Sequence, residues 1–210
     1  GVAGTHGKTT TSSLLSYILC HGGMNPTAIV GGKVLNFGSN ARVGQGEYIV
    51  FEADESDGSF LKLMPTIGVV TNIDADHLEH YKFFEGIKDA FLTYINNIPF
   101  YGYSVLCVDD HTVCELLPKV ERPFVTYGFS ESADFRAANA RMDCGKTRYD
   151  CYYRGERLGE VSLGLLGNHN VVNSLSVVAV ALELGVPFNV IAEGLAEFRG
   201  VGRRLETVYD

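Results

Sequence analysis

No run of the chain approaches the ~18 uninterrupted apolar residues that a membrane span requires, and no cluster of Lys and Arg stands anywhere in it. Seventeen basic residues face 25 acidic ones, a formal charge of −8, so long-range electrostatics repel polyanions and nothing local reverses the sign. Nucleic acid and anionic membrane are therefore not expected as partners. The chain lacks a C-x-x-C pair, and its five cysteines (Cys20, Cys107, Cys114, Cys144 and Cys151) form an odd set. Several sit in apolar runs where a free thiol packs as a small hydrophobe, and none has an electropositive neighbour in sequence. That usage fits a reducing cytosol, the expected location. There is no internal repeat, no low-complexity tract and no charged and apolar leader, so no targeting or spanning segment is expected. What remains is 210 residues of 46% hydrophobic composition, enough for one substantial core with a small appendage.

The strongest local signal is Gly4-Thr5-His6-Gly7-Lys8-Thr9-Thr10. Two glycines let the backbone curl and turn its N–H groups inward as an anion nest, and the following helix adds its positive end. Lys8 then reaches the outer phosphates of a nucleoside triphosphate, and the Thr9 hydroxyl meets the accompanying magnesium ion. The general pattern wants a glycine where Val2 stands; the earlier glycine here is Gly4, so the loop is a shortened variant.

Gly1-Val2-Ala3 reads as the last residues of a strand whose beginning is absent, and the chain is expected to be cut there. Lys8 to Cys20 is helical in period, a short strand covers Thr27 to Val30, and Gly31 to Gly46 is a loop without periodicity. Tyr48 to Phe51 and Ile67 to Val70 are continuous apolar runs with polar ends, the pattern of buried parallel strands. A helix over Phe83 to Ile98, a strand at Ser104 to Val108, a short helix at Thr112 to Leu117 and a strand at Phe124 to Tyr127 complete an alternation that means an α/β fold, a parallel sheet covered by helices. The pattern then changes. Residues 134 to 163 alternate polar and apolar around two glycine turns and predict an antiparallel β appendage (residues 133–165) beside the main sheet. Two helices, Asn170 to Leu184 and Phe188 to Phe198, close the reading.

Ligands of an open parallel sheet lie beyond the carboxyl ends of its strands, and three such ends are polar: the loop at Gly4, Glu52 with its neighbours, and Asp74 to His77. Phosphoryl transfer needs cations to bridge phosphates and absorb shifting charge, and hard carboxylate and hydroxyl oxygens suit magnesium. Glu52 stands where a metal-binding acid would, although Asp54, Glu55 and Asp57 compete for that assignment. His77 is placed to ligate a second metal ion, to touch a phosphate, or merely to cap its loop. His80 reads as surface, and H-L-E-H lacks the histidine spacing of a zinc helix. Asn170 and Asn173 stand one helical turn apart, suited to reading a base edge or to capping and packing. Arg203 and Arg204 suit phosphate contact and solvation equally.

Six segments in register, G-T-H-G-K-T-T, E-A-D-E-S-D, N-I-D-A-D-H, N-N-I-P-F-Y-G, T-Y-G-F-S and G-x-H-N-x-x-N followed by G-x-G-R-R, resemble the central ATP-binding domain of the Mur ligases nearly end to end. These are the amino-acid-adding enzymes of peptidoglycan precursor synthesis, and their loop is the short G-T-x-G-K-[ST] form. The resemblance implies a P-loop-containing three-layer fold and roles position by position. Gly4, Thr5, His6, Gly7, Lys8, Thr9 and Thr10 hold the ATP phosphates, Lys8 stabilising the transferring group. Thr9 and Glu52 ligate one Mg2+, with Mn2+ as an alternative; His77 serves a second ion; Asn170 and Asn173 contact adenine; Arg204 approaches the nucleotide. Lys8, Glu52 and His77 are the catalytic set. The motifs are most similar to the alanine-adding members, which implies ATP, UDP-N-acetylmuramate and L-alanine as partners of the full-length enzyme and an acyl phosphate as intermediate. A ligase that reattaches a recycled murein tripeptide is the alternative within the class; a stand-alone ATP-binding module is the alternative outside it. Family members also carry an N-terminal UDP-sugar domain and a C-terminal amino-acid domain, which are expected to be missing, so that the 210-residue chain alone is expected to bind Mg-ATP without ligating. Sister enzymes have a carbamylated lysine where Leu92 stands here, with Lys88 nearby but out of register.

Overall fold

The computed structural model describes residues 1–76 and 81–202. Their order begins β1 (Val2–Ala3), α1 (Lys8–His21), β2 (Thr27–Val34), β3 (Ser39–Arg42), β4 (Ile49–Phe51) and β5 (Ile67–Val70). It continues with α2 (Phe84–Asn96), β6 (Tyr103–Cys107), α3 (His111–Leu116), β7 (Phe124–Gly128), β8 (Phe135–Asp143), β9 (Lys146–Tyr153), β10 (Glu156–Leu163), α4 (Asn168–Glu183) and α5 (Phe188–Glu197).

Seven strands form one sheet in the order β1-β5-β6-β7-β8-β9-β10. The pairings from β1 to β8 are parallel, and β9 pairs antiparallel with both β8 and β10. Because side chains alternate along a strand, Val2, Val69 and Val105 face one core while Ala3, Val70 and Leu106 face the other. The first core is filled by α1, α4 and α5 through Leu14, Ile18, Leu175, Val178, Ile191 and Leu195. The second is filled by α2 and α3 through Ile87, Phe91, Ile95, Val113 and Leu116. Helix–sheet–helix is the three-layer α/β arrangement that the alternation predicts.

Two local expectations change. The stretch from Gly31 to Gly46 is not all loop: β2 runs on to Val34 and pairs antiparallel with β3. Gly31 and Gly32 hide the strand because they answer to packing. A Cβ on Gly31 would lie 3.1 Å from Glu52 Oε2, and one on Gly32 would lie 2.5 Å from Val201 Cγ1. Second, β4 belongs to a separate sheet of order β3-β2-β4 and is half-buried, with Ile49 exposed. It reaches the main sheet through a parallel bridge between Val2 and Glu52. The expected antiparallel strands join the main sheet directly: β8 hydrogen-bonds in parallel to β7, so the meander extends it.

This topology sets the site. β1 is flanked by β5 on one side and touched by β4 on the other. The carboxyl ends of three strands far apart in sequence therefore lie side by side, and the loop after β1 is in the middle.

Candidate nucleotide site

Residues 4–7 turn sharply from β1 into α1. Gly4 has φ 134° and Gly7, the N-cap of α1, has φ 87°, a backbone that side-chain-bearing residues rarely adopt. Space demands glycine as well: a Cβ on Gly4 would fall 2.0 Å from Thr71 Oγ1, and one on Gly7 would fall 2.8 Å from Asn173 Oδ1. The loop is bolted to the end of β5. Asn72 accepts from Thr5 N at its carbonyl (3.1 Å) and from His6 N at its side-chain oxygen (2.8 Å), and its amide donates to the His6 carbonyl (2.9 Å). The Thr71 hydroxyl donates to that same carbonyl (2.6 Å), and Thr5 Oγ1 accepts from Asp74 N (2.9 Å). The first helical bond of α1 runs from Thr11 N to the Gly7 carbonyl (2.9 Å). The N–H groups of Lys8, Thr9 and Thr10 thus belong to the first turn, where helix geometry offers them no carbonyl. That is the arrangement that binds anions.

Lys8 folds back over the loop. Its ammonium donates to the Gly4 carbonyl (2.7 Å) and forms an ion pair with Glu55 Oε2 (2.7 Å). Thr9 Oγ1 donates to Glu52 Oε2 (3.1 Å), and Ser12, one turn on, donates to Glu52 Oε1 (3.1 Å). The Gly31 N–H also points at Glu52 Oε1. Thr10 is half-buried in the same turn, and His6 is exposed with Nε2 3.7 Å from Asp74 Oδ2.

Four acids in E-A-D-E-S-D look alike in the sequence; the structure sorts them. Glu52 meets Thr9, and Glu55 meets Lys8. The carboxylates of Asp54 and Asp57 accept from the N–H groups of Ser56 and Ser59 (2.9 Å each), holding the turn that follows β4. The Tyr81 hydroxyl donates to the Glu55 carbonyl. Partial burial, and then the charges of Glu55, Asp57 and Asp54, push that phenol up to about 12.

At the start of α4 both asparagines are buried, 6% and 7% exposed. Asn173 packs its amide against Gly7, which brings α4 to the loop. Asn170 donates to the Leu166 carbonyl just ahead of the helix (2.8 Å). His77, His80, Arg203 and Arg204 lie outside the described residues. Leu92 packs against the second core, and Lys88 is committed to Glu85 (2.7 Å) and Glu115 (3.1 Å). Sequence reading passed over Ser12, Thr71 and Asn72 as site residues. The polar Thr71-Asn72 pair directly after an apolar strand was the available signal for two of them.

The donors on hand for a divalent cation are the Thr9 hydroxyl and the Glu52 carboxylate, adjacent and hard. A set of one hydroxyl and one carboxylate fits an ion that keeps waters and phosphates for its other positions, as Mg2+ does. Among the described residues no group of three or more His, Cys, Asp or Glu is placed to hold a metal, and no helix is long and apolar enough to cross a membrane. A separate cavity of about 480 Å3, lined by Tyr48, Met64, Tyr101 and Tyr103 among others, lies at the opposite ends of the strands.

Residues 2–181 match the model of the Mur ligase middle domain. The chain is 56% identical over 206 residues to a UDP-N-acetylmuramate–L-alanine ligase of Geobacter sulfurreducens, covering 98% of this chain and 45% of that protein. It is 54% identical over 204 residues to the ligase of the same name from Trichlorobacter lovleyi, covering 97% and 45%. The chain thus spans a little under half the length of the curated relatives it matches. The crystal structure of a UDP-N-acetylmuramate–alanine ligase from Thermotoga maritima superposes with a TM-score of 0.86 at 30% identity, over 99% of this chain and 46% of that one. A MurF ligase from the same organism, solved in complex with ADP, shares the fold, with a TM-score of 0.75 at 23% identity over 91% of this chain and 47% of that one. With the short glycine loop, the Thr9–Glu52 pair and this match over most of its length, the chain belongs to the Mur ligase family, whose middle domain it forms.

Proposed function

We propose that this chain is the ATP-binding catalytic core of a ligase that joins L-alanine to UDP-N-acetylmuramate in peptidoglycan precursor synthesis. The observation that carries the reading is the convergence of Lys8, Thr9 and Glu52 on one glycine-built anion loop, 43 residues of sequence separating the threonine from its acid. The identity to alanine ligases favours that substrate pair over the murein tripeptide.

In this reading Gly4 to Thr10 cradle the phosphates, and Lys8 follows the charge that develops on the γ-phosphoryl group. The muramyl carboxylate attacks the γ-phosphorus, ADP leaves, and an acyl phosphate forms. The alanine amine then attacks its carbonyl carbon, loses a proton and expels inorganic phosphate. Thr9 and Glu52 would hold Mg2+, or Mn2+ in its place, which supplies charge neutralisation of the phosphates when bound. Positioning and electrostatics do most of the work. Asn170, Asn173 and Arg204 are proposed for the nucleotide and His77 for a second ion. UDP-N-acetylmuramate and L-alanine are partners of the full-length enzyme.

Calorimetric titration of Mg-ATP checks the site: Lys8→Ala is expected to weaken binding at least about tenfold, the loss of one charge-assisted contact. Removing Lys8 also leaves Glu55 without its counter-charge, so Thr9→Val, which spares the ion pair, serves as the second variant and should lose magnesium dependence. Unchanged affinity in both would overturn the phosphate-loop assignment. Alanine-dependent phosphate release by the full-length protein, with the tripeptide as competitor, tests the substrate.

A further inference from the structure

The lysine that should meet the nucleotide is already engaged. Its ammonium has three donors, and three acceptors surround it: Glu55 Oε2 at 2.7 Å, the Gly4 carbonyl at 2.7 Å and the Thr5 carbonyl at 3.5 Å. A phosphate oxygen entering the loop has to displace one of them. The two carbonyls belong to the loop itself and move with it. Glu55 comes from the turn after β4 and carries a charge that repels phosphate.

Glu55 is also fixed in place. Its side chain is 2% exposed, that of Lys8 13%, and its carbonyl accepts from both Gly58 N (3.1 Å) and the Tyr81 hydroxyl. Its second carboxylate oxygen, Oε1, is buried and has no hydrogen-bond partner among the described residues. A buried carboxylate satisfied at one oxygen only depends on Lys8 for its compensation. Among the described residues the charged groups at the loop are Lys8 against Glu52 and Glu55, with Asp74 beside His6, so the carboxylates outweigh the ammonium of Lys8 there.

We propose that Glu55 is a positioning residue that holds Lys8 against the Gly4 carbonyl and competes with the nucleotide phosphates for its ammonium, so that admission of the triphosphate depends on the divalent cation that travels with it. This rests on the nucleotide-binding reading above. A bare triphosphate meets two carboxylates and a lysine bound to one of them. A metal-bound one brings positive charge that offsets Glu52 and weakens the hold of Glu55 on Lys8. The role is distinct from that of a residue that only props the loop open, because removing its charge strengthens binding.

The test is titration of ATP into the chain in MgCl2 and in EDTA, for wild type, Glu55→Gln and Glu55→Asp. Glu55→Gln keeps the shape and removes the charge; it is expected to bind ATP about tenfold tighter in EDTA and less than about threefold tighter in MgCl2, narrowing the ratio between the two. Glu55→Asp keeps the charge but withdraws it by one methylene, and a smaller tightening in EDTA follows. Unchanged or weaker binding by a folded Glu55→Gln overturns the proposal. Should Glu55→Gln fail to fold, Glu55→Asp decides by the same criterion. Wild-type chain that binds ATP in neither buffer overturns the nucleotide reading and this inference with it, whereas wild-type binding with no gain in the variants overturns this inference alone.

Discussion

Gly4 shows how much one residue of this loop is asked to do. Its φ of 134° is open to glycine, and the space beside it is occupied by Thr71 Oγ1 and the Asn72 backbone. Gly4→Ala therefore combines backbone strain with a clash that no rotamer relieves, since the Asn72 carbonyl would sit 3.0 Å from the new Cβ. The expected loss is roughly 2 kcal/mol or more of stability, read as a lowered urea midpoint, together with loss of Mg-ATP binding. A midpoint equal to wild type would show that the loop is looser than its hydrogen bonds with Thr71 and Asn72 indicate. Gly4, Gly7, Lys8 and Thr9 were legible in the sequence because the chemistry of a phosphate loop is local. Glu52 was legible as the acid at the end of its strand, with Asp54, Glu55 and Asp57 as competitors. What separates it from Glu55 is three residues of chain beyond the end of β4, which aim one carboxylate at Thr9 and the other at Lys8, and no residue type records that direction.

Among the elements, α3 is short enough for a single cap to matter. Asp110 accepts from Val113 N at 2.8 Å, and six residues of helix offer little else to hold the turn. Asp110→Ala is expected to cost about 1 kcal/mol, a fall of roughly 2–4 °C in Tm for a chain of this size. Asp110→Asn should cost nothing at pH 7. Burial raises the Asp110 carboxyl above its ordinary value despite the backbone bonds that lower it, so its ionised form is disfavoured in the fold, and the amide keeps the cap without the charge. A Tm loss in Asp110→Asn equal to that in Asp110→Ala would refute this account. The elements themselves were largely readable: α1, α2, α4 and α5 follow from apolar spacing, and β5, β6 and β7 from continuous apolar runs. β2 was read short because Gly31 and Gly32 break the alternation, and they are glycines because Glu52, Thr9 and Val201 crowd them. A packing demand from residues distant in the chain, Val201 most of all, looks, in a single window of sequence, like a loop.

For the molecule as a whole, burial of weak acids ties stability to alkaline pH. The Cys107 and Cys151 thiols are pushed up to about 12, burial being the largest cause in each, and burial also raises the Tyr94, Tyr127 and Tyr149 phenols. Their folded values lie above their unfolded ones, so the unfolded chain releases protons first. The stabilisation is complete below about pH 8.5 for the thiols and about pH 10 for the phenols, and is lost as pH rises toward the folded values. Each fully buried group should remove about 1.4 kcal/mol per pH unit within its window. Urea midpoints at pH 8, 9.5 and 10.5 are expected to fall progressively; a constant midpoint would contradict the burial of these side chains. Thiol labelling at pH 8 should mark the exposed Cys144 and spare Cys107 and Cys151 until the chain unfolds.

The amino-acid sequence alone specified the glycine loop, the alternation of helix and strand, the three-layer α/β class and the resemblance to Mur ligases. Each of these is written in short windows, where steric limits on φ, side-chain periodicity and motif spacing act between near neighbours. The packing of the whole chain was needed to show that β4 joins β2 in a second sheet and that Asn173 leans on Gly7. It alone assigned Glu55 to Lys8, and it shows Glu52 against Thr9, the pair that the resemblance implies. Those are contacts across 43 and 47 residues, and they depend on which strands lie side by side, a property of the packed sheet that no single segment carries. The loop was visible from its own seven residues; the ion pair that engages its lysine came from Glu55, an acid whose partner no neighbouring residue announces.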